Sequence, residues 1–170
     1  MTVKEVSYAQ HLPEMMKQLP RGAFLTSAPQ EKLNTMTIGW AHVGVMWSIP
    51  TFTVAVRYTR HTYSLLEESD RFTVSIPLEQ DMKKELLFCG TKSGRDYDKF
   101  RECDLIAQPG QVLKMPVIGQ CELHYECEIV YRQAMEPTTL RTDIRNKQYG
   151  DNHVYHVLYY GKIAACYVNK

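Results

Sequence analysis

The chain has 170 residues, of which 44% are hydrophobic and 23% charged, with a formal net charge of +1. That length holds one domain with a real core, expected over residues 1–170, and the composition is that of an ordinary globular protein. A charge this close to zero excludes nucleic-acid or membrane-surface binding by bulk electrostatics, so any anion site must be local.

No apolar run approaches the roughly 20 residues that a membrane span needs, and the polar start "MTVKEVSYAQ" does not read as a signal peptide. A cytoplasmic location is expected, with neither a membrane nor a nucleic acid as partner. The five cysteines (89, 103, 121, 127 and 166) are odd in number and include no C-x-x-C pair, against a disulfide framework or a zinc ribbon. Cys121, Cys127 and Cys166 lie in strand-like stretches and read as small core residues. Cys89, beside a glycine loop, is a candidate reactive thiol.

In chain order, "YAQHLPEMMKQLPRG" reads as a short helix or turn bracketed by Pro13 and Pro20. "AFLTSAP" is a strand and "QEKLN" a polar turn. "TMTIGWAHVGVMW" alternates in part, with Gly39 and Gly44 at bulge or close-approach positions. Pro50 is expected to end that run, and "TFTVAVR" is a further strand, rich in β-formers. "YSLLEESD" has helical character, with Ser64 and Glu67 at capping-box spacing. "RFTVSIP" is again a strand.

"QDMKKELLFCG" places Met82, Leu86 and Leu87 on one helical stripe, with Gly90 as its C-cap. "CELHYECEIVYRQAM" and "HVYHVLYYGKIAACYV" are two long strands. The first shows Cys121, Leu123, Tyr125, Cys127, Ile129 and Tyr131 on one face. "PTTLRTDIR" between them reads as a helical turn. Clustered early strands, long late strands and no β-α-β repeat predict a mostly antiparallel barrel with a few helices.

Three stretches carry chemistry. In "VRYTRHTY" a strand ends and a helix begins, which places Arg57, Arg60, His61 and the hydroxyls of Thr59 and Thr62 where an anion can be held. A solvated strand end with snorkelling arginines is the plainer reading of the same residues on local chemistry alone. "FCGTKSGRDYDKF" offers Lys92, Ser93 and a glycine-containing turn as a small nest, with Asp96 or Asp98 capping a following helix; a plain capped surface loop is the alternative. "NTMTIGW" offers Asn34, Thr35 and Thr37 to a flat aromatic ligand, with Met36 or Trp40 packing on its ring, or else is an edge strand. No Walker loop, G-x-G-x-x-G or H-E-x-x-H spacing is present, so no metal site is expected.

Taken in order and spacing, "RGAFLTS…NTMTIGWAHVG…FTVAVRYTRHTYSLLEES", "FTVSIP" and "FCGTKSGRDYDKF" together resemble the flavin reductase-like, FMN-binding split-barrel family, in its flavoredoxin-type branch. The resemblance runs from about Gly22 to Phe100, with an echo in "LYYGKIAACYVN". It implies a six-stranded antiparallel split β-barrel of Greek-key type, assembled as a homodimer with FMN near the subunit interface. It further implies that Asn34, Thr35, Met36 and Thr37 contact the isoalloxazine, and that Arg57, Tyr58, Thr59, Arg60, His61 and Thr62 form the segment holding the phosphate. Cys89, Lys92 and Ser93 would belong to a loop closing over the cofactor, which Asp96 and Lys99 would fix.

Members of that family often carry Pro-Ser where this chain has Tyr58-Thr59, Tyr where it has His61, and Glu where it has Lys162, so the individual phosphate donors stay open. The implied activity is hydride transfer from NADH or NADPH to FMN, with electrons passed to a flavin or a redox partner protein. The alternative is an FMN electron carrier that does not oxidise NAD(P)H. Neither needs a side chain as acid or base, so no catalytic residue is assigned.

Overall fold

The computed structural model of the chain describes residues 2–169. The first half contains β1 (Val3–Glu5), α1 (Leu12–Gln18), β2 (Ala23–Ser27), β3 (Asn34–Ile38), β4 (Ala41–Met46), β5 (Ile49–Arg57) and α2 (His61–Glu67). The second half adds β6 (Arg71–Ile76), α3 (Lys83–Thr91), α4 (Lys99–Glu102), β7 (Ala107–Pro109), β8 (Pro116–Ile118), β9 (Leu123–Ala134), α5 (Thr142–Gln148) and β10 (His156–Asn169). Among the described residues no helix is long and apolar enough to cross a membrane.

One antiparallel sheet runs in the order β3-β2-β6-β9-β10-β5-β4, and β7 and β8 form a separate ribbon. The sheet curls but does not close. Its outermost strands, β3 and β4, are neighbours in sequence, joined only through Gly39 and Trp40, yet no ladder joins them. This is the antiparallel split barrel. Six strands, β3, β2, β6, β9, β10 and β5, make its wall. β4 extends the edge beyond β5, and β1 takes the end of β10 that β5 leaves free, pairing Val3 with Asn169 and Glu5 with Tyr167.

Several local expectations are corrected. The run from Thr35 to Trp47 is two strands on opposite edges. Gly44 sits in regular register opposite Thr51 with open space around it, so it is neither bulge nor close approach. Pro50 does not end the run but lies inside β5. It pairs with Val45 just beyond the β10 ladder, where its missing N–H costs no bond. The reversal comes earlier, at Trp47 and Ser48, whose φ values of 53° and 60° make the two-residue hairpin turn that suits right-handed strand twist.

The capping box is absent as well: the Ser64 hydroxyl donates to the His61 carbonyl at 2.8 Å within α2, whose N-cap is Arg60. In α3, Met82 and Leu86 are buried but Leu87 is 68% exposed. Gly90 lies within that helix rather than ending it, because α3 is pressed so close to β3 that a Cβ there would meet Thr37 Cβ at 3.2 Å.

The inward alternation of β9 covers Leu123, Tyr125, Cys127 and Ile129 and then breaks. A register shift against β10 between Tyr131 and Ile129 turns Tyr131 out to solvent. Cys121 precedes the strand and belongs to a second cluster with Phe24, Met82, Leu86, Cys89, Leu105 and Ile118, beneath α3. The main cluster fills the barrel with Phe52, Phe72, Tyr125, Tyr159 and aliphatic neighbours. Each such side chain stabilises the fold by roughly 1.5–3 kcal/mol on leaving water. All five cysteines are free, and Cys127 and Cys166 are core residues as expected.

Candidate functional site

Because the sheet stays open between β3 and β5, residues of both strands line one continuous groove. Its flat part, about 150 Å³, lies between Met36, Thr37 and Ile38 of β3 and Ala55 and Arg57 of β5, with Trp40, Arg60 and His156. Met36 and Arg60 continue into a narrow end of about 70 Å³, which is lined by Thr59, His61, Thr62, Cys89, Lys92, Ser93 and Lys99. In the other direction Gly39, Trp40 and Ala55 lead into an apolar cleft of about 370 Å³.

The narrow end is built where three segments meet. β5 stops at Arg57, and the chain turns tightly, the Arg60 N–H donating to the Arg57 carbonyl at 3.0 Å, before α2 begins. The Arg60 guanidinium crosses to the Gly90 carbonyl in α3 at 3.0 Å, and Arg95 reaches back to the Thr59 carbonyl at 3.3 Å. Asn34 donates to the Thr62 hydroxyl at 2.9 Å, tying β3 to α2. Gly94 is packed so tightly that a Cβ there would collide with the Asn34 amide and the His61 ring. Asp98, rather than Asp96, caps α4 by accepting from the Phe100 and Arg101 N–H groups.

Lys99 is only 5% exposed, and its ammonium donates to the Thr35 and Cys89 carbonyls, both at 2.9 Å. Among the described residues no carboxylate lies in salt-bridge range of it, and none lines the groove. Arg60, Lys92 and Lys99 therefore line the narrow end with no carboxylate among its lining residues, and Arg57 stands in the adjoining part of the groove. Of these only Lys99 is buried, and a buried charge is normally paired, so Lys99 with the cations around it favours an anion at this end. The Nδ1 atom of His61 is buried there with no hydrogen-bond partner among the described residues. Burial, then the charges of Arg95, Lys99 and Lys32, hold the His61 imidazole below its ordinary pKa. Burial likewise lowers the Lys99 ammonium.

At the flat part, His156 is buried, and its Nδ1 lies 2.8 Å from the Tyr149 hydroxyl. The Trp40 ring packs against the His156 ring with centroids 4.8 Å apart. Arg57 lies over the Tyr149 ring at 5.5 Å and donates to the Gln148 carbonyl at 3.1 Å. Burial first, then Arg57 and Arg60, bring His156 down to about 4, so the imidazole is neutral at physiological pH.

Of the residues singled out from sequence, Met36, Thr37, Arg57, Thr59, Arg60, His61, Thr62, Cys89, Lys92 and Ser93 line the groove. Asn34 stands behind it, holding Thr62. Two are not brought to it. The Thr35 side chain shares a face of β3 with Thr37, opposite Met36 and Ile38, but it is fully buried against β2, where its hydroxyl donates to the Leu25 carbonyl at 3.2 Å. Tyr58 is exposed at the turn and packs on Tyr63. Cys89 is no reactive thiol: it is 1% exposed, and burial pushes it up to about 12. The grouping of Tyr149 and His156 with Arg57 escaped sequence reading, since Arg57 lies more than 90 residues from the other two and the three match no motif; the richness in His and Tyr around the start of β10 was its only signal. Among the described residues no group of three or more His, Cys, Asp or Glu side chains is placed to hold a metal.

Comparison with known proteins places the fold and the family. A protein of Archaeoglobus fulgidus, described as uncharacterized, is 31% identical over 111 residues, which are 65% of this chain and 62% of that protein's length. The flavoredoxin of Methanosarcina acetivorans superposes with a TM-score of 0.66 at 24% identity, covering 88% of this chain and 68% of that one. An FMN-binding domain of a flavin reductase-like enzyme from Shewanella baltica gives a TM-score of 0.66 at 17% identity, covering 98% and 77%. At these identities the two structures establish the shared fold. The model of the flavin reductase like domain matches residues 16–170, and the chain belongs to that family.

Proposed function

We propose that this protein binds FMN in the split of its barrel and works as an oxidoreductase of the flavin reductase type. The observation that carries the reading is the junction of an open groove between β3 and β5 with a narrow end lined by Arg60, Lys92 and the buried Lys99 and by no carboxylate. FMN is a flat ring system joined by a short polyol to a terminal phosphate, and the donor set matches its anionic end. Arg60 supplies a planar charge-assisted donor, Lys92 and Lys99 supply point charges, and Thr59, Thr62 and Ser93 supply hydroxyls. The unpartnered His61 Nδ1 gains a partner when a phosphate oxygen or its proton arrives.

Met36, Thr37 and Ile38 would hold the ring on one side, with Trp40, Ala55, Arg57 and the neutral His156 along the other parts of the groove. FMN held there would supply the redox chemistry, taking electrons as hydride from NADH or NADPH. The chain's part is to orient the ring, shield it and set the local charge through Arg57. None of its side chains is assigned a catalytic proton transfer. The protein works as a homodimer, as the family resemblance implies. The exposed apolar hairpin tip of Val45, Met46 and Trp47, flanked by Tyr131 and Tyr160, supports that assembly as the surface a second copy would cover.

The likeness to flavoredoxin favours one second reading, an electron carrier that receives electrons from a redox partner protein. One experiment tests both. FMN is titrated into the protein, and the complex is mixed anaerobically with NADH or NADPH. Bleaching of the bound flavin is expected; bound flavin that stays yellow replaces the reductase reading with the carrier, and absence of FMN binding overturns both.

A further inference from the structure

We propose that the apolar cleft beside the flat part of the groove is a second ligand subsite, and that its ligand is a neutral, apolar ring compound of the quinone class serving as electron acceptor. The proposal rests on the reading of the adjoining groove as the flavin site. The cleft, at about 370 Å³, falls within the usual range of small-molecule sites. Leu19, Ala55, Met135 and Leu158 are among the apolar residues of its wall, and Trp40 stands where cleft and groove meet.

The charge distribution selects the ligand. His42 is the one titratable side chain among the described residues lining the cleft, which include no Lys, Arg, Asp or Glu. The cations of this region are gathered in the groove: Arg60, Lys92 and Lys99 at its narrow end, and Arg57 committed to Gln148 and Tyr149. The pyrophosphate of a dinucleotide, or a sulfonate on a ring, would thus be stripped of water in the cleft with nothing to replace it. A neutral ring meets no such penalty. It gains contact with the Trp40 indole and the thioethers of Met16 and Met135, which pack well against ring edges. As acceptor, the quinone becomes the hydroquinone by gaining two electrons and two protons. Both electrons and one proton arrive as a hydride from reduced flavin, which returns to the oxidised form, and the second proton comes from water.

The test is calorimetric titration of the full chain, with and without FMN, using menadione, its sulfonated analogue and NADH. Menadione is expected to bind saturably and about tenfold or more tighter than the sulfonate. Leu158→Trp, which fills the cleft, should weaken menadione by roughly tenfold or more and leave FMN affinity within about twofold. Met16→Glu, at a rim position that is 57% exposed and so tolerant of change, should weaken menadione in the same direction. Equal menadione binding by wild type and both variants overturns the proposal. So does equal affinity for the sulfonate or NADH. Sedimentation in which Met16→Glu dissociates a dimer that binds no menadione would assign the cleft to a second copy of the chain. FMN binding without menadione binding sinks the cleft proposal alone, whereas menadione binding without FMN binding overturns the flavin reading and the acceptor role with it.

Discussion

The ammonium of Lys99 lies 2.9 Å from the carbonyl oxygen of Thr35, 64 residues earlier in the chain, and holds the 92–98 loop against the open edge of the barrel. Its other acceptor is the Cys89 carbonyl, so one buried cation ties β3, α3 and α4 together at the narrow end of the groove. Lys99→Met keeps the stem and removes the charge. The two carbonyls lose a partner, and the apoprotein is expected to lose about 1–3 kcal/mol in denaturant unfolding. The rise in Tm on adding FMN should also shrink relative to wild type. An unchanged FMN-induced rise would confine Lys99 to a structural role.

Arg60 reaches the Gly90 carbonyl across the same narrow end. Arg60→Ala is expected to weaken FMN by about 10- to 100-fold, the worth of a charge-assisted bond. Riboflavin, which lacks the phosphate, should be affected little. Fluorescence titration of both ligands checks this, and equal losses would remove Arg60 from phosphate binding.

His124 is fully buried between Ser75 and Asn169, and burial brings its imidazole from 6.5 down to about 4. The unfolded chain therefore takes up this proton at higher pH than the folded one. Stability is full above about pH 6.5 and is lost as pH falls toward 4, by on the order of 3 kcal/mol. Urea midpoints measured across that window should fall, and His124→Gln should flatten the slope. His156, also brought down to about 4, contributes in the same direction. A slope unchanged in His124→Gln would show that other groups dominate.

Gly161 sits in β10 where a Cβ would stand 2.6 Å from both Cys127 Cβ and the Phe72 ring. Neither neighbour has room to move in the filled barrel, so Gly161→Ala is expected to destabilise by about 1–3 kcal/mol through overpacking. Thermal unfolding reads this directly, and a variant as stable as wild type would mean the core relaxes there.

Cys89 lines the groove but is buried and pushed up to about 12, so the native protein at pH 8 should resist iodoacetamide at this position. Peptide mass mapping after a short exposure checks it. Rapid labelling of Cys89 would show that α3 opens readily.

The sequence by itself determined most of the strands and offered the candidate residues of the site. Runs such as "AFLTS", "TFTVAV" and "RFTVSI" are strands by their β-branched and aromatic content, a local property that survives folding unchanged. The same holds for the chemistry of "VRYTRHTY" and "CGTKSG", where charge and hydroxyl content is visible without any partner. Tertiary structure decided which of those groups share a space. Thr35 and Thr37 share one face of β3, yet packing leaves Thr37 lining the groove and buries Thr35 against β2. Close packing of α3 on β3 makes Gly90 a contact instead of a cap.

The split itself, with β3 and β4 adjacent in sequence yet on opposite edges, follows from pairings of Phe24 with Ser75 and Tyr159 with Val54 that no local pattern encodes. Nor does any local pattern bring Tyr149 and His156 to Arg57. The physical reason is the range of the interactions. Propensity and capping act over a few residues, whereas strand order, the burial of Lys99 without a counter-ion and the placing of the apolar cleft depend on contacts between segments far apart in the chain.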